Sequence, residues 1–222
     1  MTLKKGDFIA LDFVGRIKET GDIFDLTKKD VAEKEKIANK SAEYSPRIVC
    51  VGHGDIVKGV DDFLVGKTVG KSYTIELESA DAFGKKDAKL IKMMPLSTFK
   101  KQDMKPFPGL QVNIDGSYGT IRTVSGGRVL VDFNHPLASK AVTYEITITK
   151  VITKDAEKVS GILKGIINRD VTCTVDKGTA TVDIDLPEQF QTLLNDRITS
   201  LVPTIKKVIY AKKDTPSPES TK

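Results

Sequence analysis

Two alternating runs of apolar and polar residues lie far apart in the 222-residue sequence and constrain its architecture. They span residues 7–17 and 141–149, and a period of two is typical of a half-buried strand. Their apolar faces carry Ile9, Leu11, Phe13 and Ile17 in the first run and Val142, Tyr144, Ile146 and Ile148 in the second. Because a long segment of different character separates the two runs, the sequence predicts one sheet domain that is interrupted by an inserted module.

The glycine-rich segment 51–73, "VGHGDIVKGVDDFLVGKTVGKSY", contains GKT and GKS and resembles a phosphate-binding loop at first sight. Such a loop needs G-x-x-x-x-G-K-[ST], because consecutive backbone N–H groups must curl around the anion. In both frames the first glycine is missing, since Asp61 and Val65 stand there, and Val57 breaks the dinucleotide pattern G-x-G-x-x-G. A nucleotide-dependent enzyme is therefore a disfavoured alternative, and we expect no protection by ATP against thermal unfolding.

The same segment has a helical pattern of apolar residues. Ile56, Val60, Phe63 and Leu64 recur at the spacing of a short amphipathic helix, and Asp55 is available as its N-cap. Strands are predicted on both sides, in "RIVCV" and "SYTIELE". The glycines then serve as turns that join a strand, a short helix and another strand.

Composition excludes several classes of function. The net charge of +5 is mild and acidic residues are interleaved with basic ones, so the sequence does not indicate nucleic-acid binding. No apolar stretch approaches the length of a membrane span, and a cytoplasmic location is expected. Cys50 and Cys173 lie on alternating apolar runs and are expected to be reduced. His53 and His135 lack further ligands at suitable spacing, so we expect neither a metal nor another cofactor.

Two further modules follow from the pattern. Residues 111–133 give three short alternating runs, two of them joined as a hairpin across Ser125-Gly126-Gly127. From Asp155 the order is α-β-β-α-β, with Pro187 at the start of the second helix. The two helical faces consist of Val159, Ile162, Leu163 and Ile166, and of Phe190, Leu193, Leu194 and Ile198. So small a unit is expected to pack on the main domain or on a second copy of the chain.

Four ordered segments resemble the FKBP family of peptidyl-prolyl isomerases, in its SlyD-like branch. They are "GDIFDLT" with its aromatic-Asp pair, "VGHGDIVKGVDDFLVGKTVG", "DAFGKKDAKL" and "NHPLASKAVTYEI". The resemblance covers most of residues 5–152. The unit after it is similar to the extra domain of long archaeal-type members, on position and pattern only.

The resemblance implies an α+β fold in which an FKBP-like antiparallel sheet wraps around a short helix, with an inserted β domain and a C-terminal α/β sandwich-like domain. It implies a discontinuous isomerase domain at residues 1–88 and 135–154, interrupted by an insert-in-flap domain at 89–134. A C-terminal domain at 155–212 and a disordered tail at 213–222 complete the expected organisation. The implied activity is cis-trans isomerisation of X-Pro bonds in unfolded polypeptides, combined with a chaperone role.

The site residues are carried over from the same resemblance. It assigns catalysis to Asp25, Phe83 and Tyr144, and substrate binding to Phe13, Phe24, Ile56, Val57, Val60 and Leu137, with Leu137 near the rim. The sequence departs from the family where Phe83 replaces the usual tyrosine and Val60 replaces the frequent tryptophan. An alternative function is therefore a chaperone or adaptor whose pocket binds proline segments and catalyses weakly.

The apolar segment 90–99 of the insert is expected to capture unfolded chains. Its candidate contact residues are Leu90, Ile91, Met93, Met94, Leu96 and Phe99, and methionine suits surfaces that adapt to varied apolar partners. The open alternative is that the same side chains form the core of the insert itself. A homodimer through the C-terminal domain is also possible, whereas no membrane partner is expected.

Overall fold

The computed structural model describes residues 1–39, 42–100 and 103–210, and the predicted tail at 213–222 lies outside them. The α+β class is confirmed. The strands are β1 (Phe8–Ile17), β2 (Ile23–Leu26), β3 (Arg47–Cys50), β4 (Ser72–Leu77), β5 (Ile91–Pro95), β6 (Gln111–Ile114), β7 (Ser117–Ser125), β8 (Arg128–Asp132), β9 (Val142–Val151), β10 (Cys173–Asp176), β11 (Thr179–Val182) and β12 (Lys207–Tyr210). The helices are α1 (Lys29–Lys34), α2 (Lys58–Leu64), α3 (Leu96–Lys100), α4 (Asp155–Ile167) and α5 (Glu188–Leu201). None of these helices has the length and apolar character needed to cross a bilayer.

The chain divides into two compact units. Among the described residues, the first unit comprises those of 1–16, 22–75 and 143–210, and the second comprises those of 17–21 and 76–142. This division follows the density of contacts and groups the C-terminal segment with residues 1–16 and 22–75. The boundaries expected from the sequence stay a prediction.

Strand β1 is the central element of the five-stranded sheet, whose order is β2-β1-β9-β4 with β3 also paired to β1. The antiparallel partner β3 covers its first half, where Phe8 faces Cys50, and β2 covers its second half, where Val14 faces Leu26. The prediction of a half-buried strand is wrong for β1, because Phe8, Ala10 and Val14 on the second face are buried as well. The reason is that a second layer covers that face.

This second layer is the C-terminal segment, which has the predicted order α4-β10-β11-α5-β12. Strand β11 pairs antiparallel with β10 and parallel with β12, so α5 forms the crossover between parallel strands. Its core side chains form one cluster with Phe8, Ala10 and Cys50 of the sheet domain. The C-terminal segment therefore packs on the outer face of β1 and β3, within the same compact unit.

The predicted apolar faces of α4 and α5 are buried only in part. Val159, Ile162, Leu163, Leu194 and Ile198 lie in the shared core. Ile166, Phe190 and Leu193 are corrections to the prediction, because they are 54%, 60% and 68% exposed. A helical stripe indicates which residues share a side of the helix, whereas their burial depends on how far the neighbouring layer extends.

The second unit contains a four-stranded antiparallel sheet of order β5-β8-β7-β6. Its core consists of Phe99, Val112, Ile114, Ile121, Val129 and Val131, with Met94 and Leu96 partly buried against it. Phe99 is 1% exposed, so its assignment to the capture surface is corrected: it belongs to the core of the unit. Leu90, Ile91 and Met93 are exposed, at 40%, 37% and 61%.

One asparagine joins the two ends of the inserted sheet. The Asn134 side chain accepts a hydrogen bond from the Asp87 backbone N–H at 2.8 Å and donates one to the Asp87 carbonyl at 3.0 Å. Next to it, the buried Asp132 accepts hydrogen bonds from Arg122, Lys86 and Asn134 at 2.7 to 3.1 Å. These hydrogen bonds connect the segment of chain that leads into the insert with the segment that leads out of it.

Burial of the Asp132 carboxyl opposes its ionisation, but the hydrogen bonds from Arg122, Asn134 and Lys86 outweigh burial and hold its pKa well below the ordinary value. A depressed pKa in the folded state stabilises the fold above the unfolded-state pKa of Asp, and this contribution is lost as the pH falls below it. We expect the second unit to lose stability on acidification below about pH 4.

Replacing Asp132 by alanine is expected to lower the free energy of unfolding of the second unit by about 2–3 kcal/mol and to weaken its response to acid. The loss stays moderate because Arg122 and Lys86, which are 49% and 34% exposed, can be hydrated. Urea denaturation at pH 7 and at about pH 2.5 measures both effects, because the contribution of Asp132 is lost only below the unfolded-state pKa, and Glu78→Ala is the control for an exposed acid. An Asp132→Ala protein as stable as the control would contradict the assignment.

Candidate active site

Three aromatic side chains of the first unit come together on β1, β2 and β9. The ring centroid of Tyr144 lies 5.9 Å from that of Phe13 and 5.6 Å from that of Phe24, the latter in an edge-to-face arrangement. Phe13 and Tyr144 are each 2% exposed, whereas Phe24 is half-buried. The structure thus assembles these three predicted residues into one aromatic wall.

Gly15 makes room for this wall. A Cβ atom placed on Gly15 would lie 2.6 Å from the Phe24 ring and 3.1 Å from the Tyr144 ring. Both distances are too short for van der Waals contact, so a larger residue would push the rings apart. Our sequence reasoning missed Gly15, although a glycine inside a strand is a signal of close approach by a neighbour.

Asp25 is placed beside the aromatic wall by the pairing of β2 with β1, in which it faces Gly15. More than a third of the residue is exposed, yet the surrounding protein still desolvates the carboxyl and raises its pKa, while the Arg47 guanidinium and the Leu26 backbone N–H act in the opposite direction. Burial raises the pKa of the Tyr144 hydroxyl as well, and the charge of Asp25 adds to that effect. Asp25, Arg47 and Tyr144 therefore influence each other electrostatically.

Arg47 is a second residue that sequence reasoning missed. It is half-buried at the start of β3, and its guanidinium has neither a hydrogen bond nor an ion pair within residues 1–39, 42–100 and 103–210. A half-buried arginine that is not paired is a donor for an incoming acceptor. No sequence pattern identified it, because it becomes part of the site only through the pairing of β3 with β1.

Thr27 fixes the end of β2 against β1. Its hydroxyl donates to the Asp12 carboxylate at 2.7 Å and accepts the Phe13 backbone N–H at 2.9 Å. The Thr27 N–H donates to the Phe13 carbonyl at 3.0 Å. These bonds hold the Phe24-Asp25 pair close to Phe13 on the neighbouring strand.

The glycine loop before α2 binds a carboxylate of its own chain. Asp61 of α2 is 5% exposed and accepts hydrogen bonds from the Gly52 N–H at 2.7 Å and from the Gly54 N–H at 2.8 Å. The φ angles of Gly52 and Gly54 are 79° and 74°, a conformation that favours glycine. The N–H groups that could cradle a phosphate are already used, which agrees with the failed nucleotide motifs.

Helix α2 begins at Lys58, two residues later than the apolar spacing suggested, so Ile56 lies in the loop before it. The predicted cap by Asp55 is wrong. Asp55 instead accepts the Cys50 N–H at 2.7 Å and an Arg197 N–H at 2.6 Å, which ties this loop to α5. The competing partners are stronger than a cap because one of them is a guanidinium.

Three of the predicted substrate-binding residues, Ile56, Val57 and Val60, lie in the first turn of α2 or just before it. Val60 is fully buried, and Ile56 and Val57 are half-buried. The backbone N–H of Val57 has no hydrogen-bond acceptor in the described part of the chain, whereas its carbonyl accepts from Val60 and Asp61. A free N–H beside apolar side chains can bind the carbonyl group of a ligand.

Phe83 and Leu137 belong to the second unit. Phe83 is half-buried and stacks on the His135 ring, with centroids 4.8 Å apart. Leu137 is 9% exposed, so its expected rim position is corrected to a buried one. Its N–H donates to the Nδ1 atom of His135 at 3.2 Å.

The first unit therefore presents an aromatic wall, a carboxylate with a raised pKa, an unpaired guanidinium and a free backbone N–H. This set provides apolar surface with a few orienting polar groups, as small binding sites do. Such a site can bind a ligand and change its conformation without forming a covalent intermediate.

Two protein-family models match the chain. One, described as "FKBP-type peptidyl-prolyl cis-trans isomerase", matches residues 1–100, and the other, described as "FKBP26, IF domain", matches residues 92–137. The residues of α4 and α5 lie beyond both matches.

Three curated relatives that are described as peptidyl-prolyl cis-trans isomerases are similar to this chain. The "Short-type peptidyl-prolyl cis-trans isomerase" of Methanocaldococcus jannaschii is 29% identical over 155 residues, which are 70% of this chain and 98% of the relative. The "FKBP-type peptidyl-prolyl cis-trans isomerase SlyD" of Vibrio cholerae is 24% identical over 64% of this chain and 72% of the relative. The "FKBP-type 16 kDa peptidyl-prolyl cis-trans isomerase" of Escherichia coli is 29% identical over 58% and 87%.

Replacing Gly15 by alanine tests the packing of the aromatic wall. The added methyl group must displace the Phe24 and Tyr144 rings, and we expect a loss of about 1–3 kcal/mol in the free energy of unfolding. Chemical denaturation and the ring-proton shifts of Tyr144 measure the two effects. Gly165→Ala is the control, because a Cβ atom there meets nothing within 4 Å. Unchanged Tyr144 shifts in Gly15→Ala would refute the role of Gly15.

Proposed function

The chain carries an FKBP-type peptidyl-prolyl cis-trans isomerase domain with an FKBP26 IF domain and so belongs to the FKBP family, and we propose that its site at Asp25 and Tyr144 turns X-Pro bonds of unfolded chains. It is a peptidyl-prolyl isomerase, as its relatives are. The observation that supports the residue assignment is the aromatic wall of Phe13, Phe24 and Tyr144 beside the Asp25 carboxylate.

Rotation about an X-Pro bond must cross a barrier of about 18–20 kcal/mol that amide resonance creates, and unassisted it takes tens to hundreds of seconds. The twisted amide has lost resonance, so its carbonyl is less polar than in either planar form. An apolar pocket that excludes water therefore binds the twisted form better than the planar forms. The reaction needs no nucleophile and no metal ion.

Each polar group has a proposed task in this reaction. The free Val57 N–H binds a carbonyl of the substrate and orients the chain. The Asp25 carboxylate lies beside the twisting amide, where its charge interacts with the charge distribution that changes as the amide rotates. Tyr144 completes the proposed catalytic set of the first unit, and Phe83 belongs to the second unit. Phe83 has no hydroxyl and Val60 is smaller than tryptophan, so we expect apolar contact rather than hydrogen bonding from these positions.

Exchange NMR on an Ala-Pro tetrapeptide tests the activity and the role of Asp25. The wild-type protein is expected to accelerate cis-trans exchange, and Asp25→Ala to reduce kcat/KM by about tenfold, which corresponds to about 1.4 kcal/mol of transition-state stabilisation. Asp30→Ala in α1 is the matched control, since that carboxylate is exposed and lies outside the aromatic wall. No acceleration at stoichiometric wild-type protein would contradict catalysis and favour the binding-only alternative.

We propose in addition that the second unit captures unfolded chains for the isomerase site. Strand β5 is an edge strand of its sheet, and an edge strand can pair with an extended chain. Along this edge Leu90, Ile91 and Met93 are exposed, and Met93 is 61% exposed. Backbone pairing combined with adaptable apolar contacts suits clients of many sequences.

Deleting residues 89–134 is expected to slow the proline-limited refolding of a protein substrate by about a hundredfold and to leave the tetrapeptide rate unchanged. The reason is that a captured chain experiences a high effective concentration of the catalytic site, which a tetrapeptide does not need. Met93→Ser gives a smaller loss of the same kind, and Lys92→Ser on the same strand is the control. Equal losses on both substrates would contradict the capture role.

A homodimer through the C-terminal segment is a further proposal. The exposed apolar side chains of this segment are Ile166, Phe190, Leu193 and Ile209. We expect Phe190→Ser with Leu193→Ser to shift the sedimentation coefficient toward the monomer, whereas Phe107→Ser in the second unit does not, although Phe107 is 56% exposed. Wild-type protein that sediments as a monomer at high concentration would end this proposal.

We propose the cytoplasm as the location, because both cysteines are free thiols and free thiols are typical of a reducing compartment. Burial raises the pKa of the Cys50 thiol to about 12 and that of the Cys173 thiol to about 11. Neither thiol is then a nucleophile at neutral pH. The proposed partners are unfolded or proline-containing polypeptides.

A further inference from the structure

The first unit contains a cleft of about 380 Å3 that is lined both by residues of β1 and β2 and by residues of the C-terminal segment. It is lined by Phe13, Asp25 and Leu26, which belong to or border the aromatic wall, and by residues of helix α4, Gly161 and Gly165 among them. We name this space the α4 cleft. It is continuous with the site at Asp25 and reaches residues that the two family models do not match.

The two glycines of α4 explain why the cleft exists. A Cβ atom on Gly161 would lie 2.5 Å from the Cγ2 atom of Ile48, so the missing side chain lets α4 lie directly on β3. Gly165 follows one turn later, and a Cβ atom there meets nothing within 4 Å. The helix is thus held close to the sheet at Gly161 and leaves space at Gly165.

The two basic side chains that line the cleft, Lys164 and Arg47, differ in their partners. The Lys164 ammonium group is neutralised by Glu43 at 3.1 Å and by Asp170 at 2.6 Å. It also donates to the Ser45 hydroxyl at 3.0 Å. Arg47 lines the cleft too; its charge opposes the raised pKa of the Asp25 carboxyl, but its guanidinium makes no hydrogen bond or ion pair in the described part of the chain. The unsatisfied donors in the cleft therefore favour a ligand that brings an acceptor, and a carboxylate makes the strongest pair.

We propose that the α4 cleft binds the part of the substrate polypeptide that flanks the proline, and that Arg47 selects an acidic side chain there. The proposal rests on the isomerase function assigned above, because the occupant of the cleft is the same chain whose proline lies at Asp25. The volume suits a short stretch of extended chain, and Gly165 leaves the helix surface open to its backbone. The C-terminal segment thereby becomes part of the substrate site.

Filling the cleft from α4 tests its role in the full-length protein. The substrates are an Ala-Pro tetrapeptide and the same peptide extended by four residues on either side of that core. We expect Gly165→Leu to lower kcat/KM for the extended peptide by about three- to tenfold, which is the effect of losing one or two buried methylene contacts. The kcat/KM for the tetrapeptide is expected to stay unchanged. Gly165→Ala is the matched control. Ser160→Leu, which fills the cleft from another position of α4, guards against misfolding of one variant.

Glutamate, glutamine and lysine in the extension test the role of Arg47. In wild-type protein, glutamate is expected to raise kcat/KM by about two- to fivefold over glutamine, as for a partly exposed charge pair, and lysine to lower it. The preference weakens with added salt and disappears in Arg47→Gln. A lack of charge preference in the wild type, or extended-peptide rates that neither cleft-filling variant reduces, would overturn the proposal.

Backbone NMR separates this proposal from the isomerase function. The extended peptide is expected to shift the amide signals of Gly161 and Gly165, and the tetrapeptide is not. If the protein fails to turn either peptide, the isomerase assignment fails, yet the α4 shifts still report on the cleft. Unshifted α4 amides at saturating extended peptide would overturn the cleft assignment even in an active enzyme.

Discussion

Strand β1 is buried on both faces, and the first unit is organised around this constraint. One face carries Phe13 to the aromatic wall, and the other carries Phe8 and Ala10 into a core shared with α4 and α5. A strand covered on both sides cannot shift its register without exposing apolar groups. The position of Asp25 opposite Gly15 is therefore fixed by burial as well as by backbone hydrogen bonds.

In the loop before α2, the role of the backbone N–H groups depends on the partner that the fold brings to them. Glycines with positive φ present N–H groups that could bind an anion, and in this chain the anion is the buried carboxylate of Asp61. The bond joins α2 to the loop that carries Ile56 and Val57. Backbone N–H groups that could bind an external anion are thus used to hold α2 against its preceding loop.

Motif order and hydrophobic period anticipated much of the site and fold. The alternating runs became β1 and β9, and "GDIFDLT" placed Phe24 and Asp25 beside Phe13 and Tyr144 as expected. Gly15 was missed although a glycine inside a strand signals a close neighbour, and Arg47 was missed because only the pairing of β3 with β1 brings it to the site. Phe99 was assigned to a surface although it is buried, since an apolar residue looks the same in sequence whether it faces a client or its own core.

The sequence by itself determined the α+β class, the order of the elements, the failure of the nucleotide motifs and the resemblance to the FKBP family. These properties depend on local spacing, because the period of a strand or helix and the φ angles of a turn are set by neighbouring residues. Only the tertiary structure decided that the second face of β1 is covered, that Phe190 and Leu193 stay exposed, and that Arg47 lies near Asp25 without a hydrogen bond or ion pair among the described residues. Burial and pairing depend on which distant residues are brought into contact, and that is a property of the folded chain as a whole.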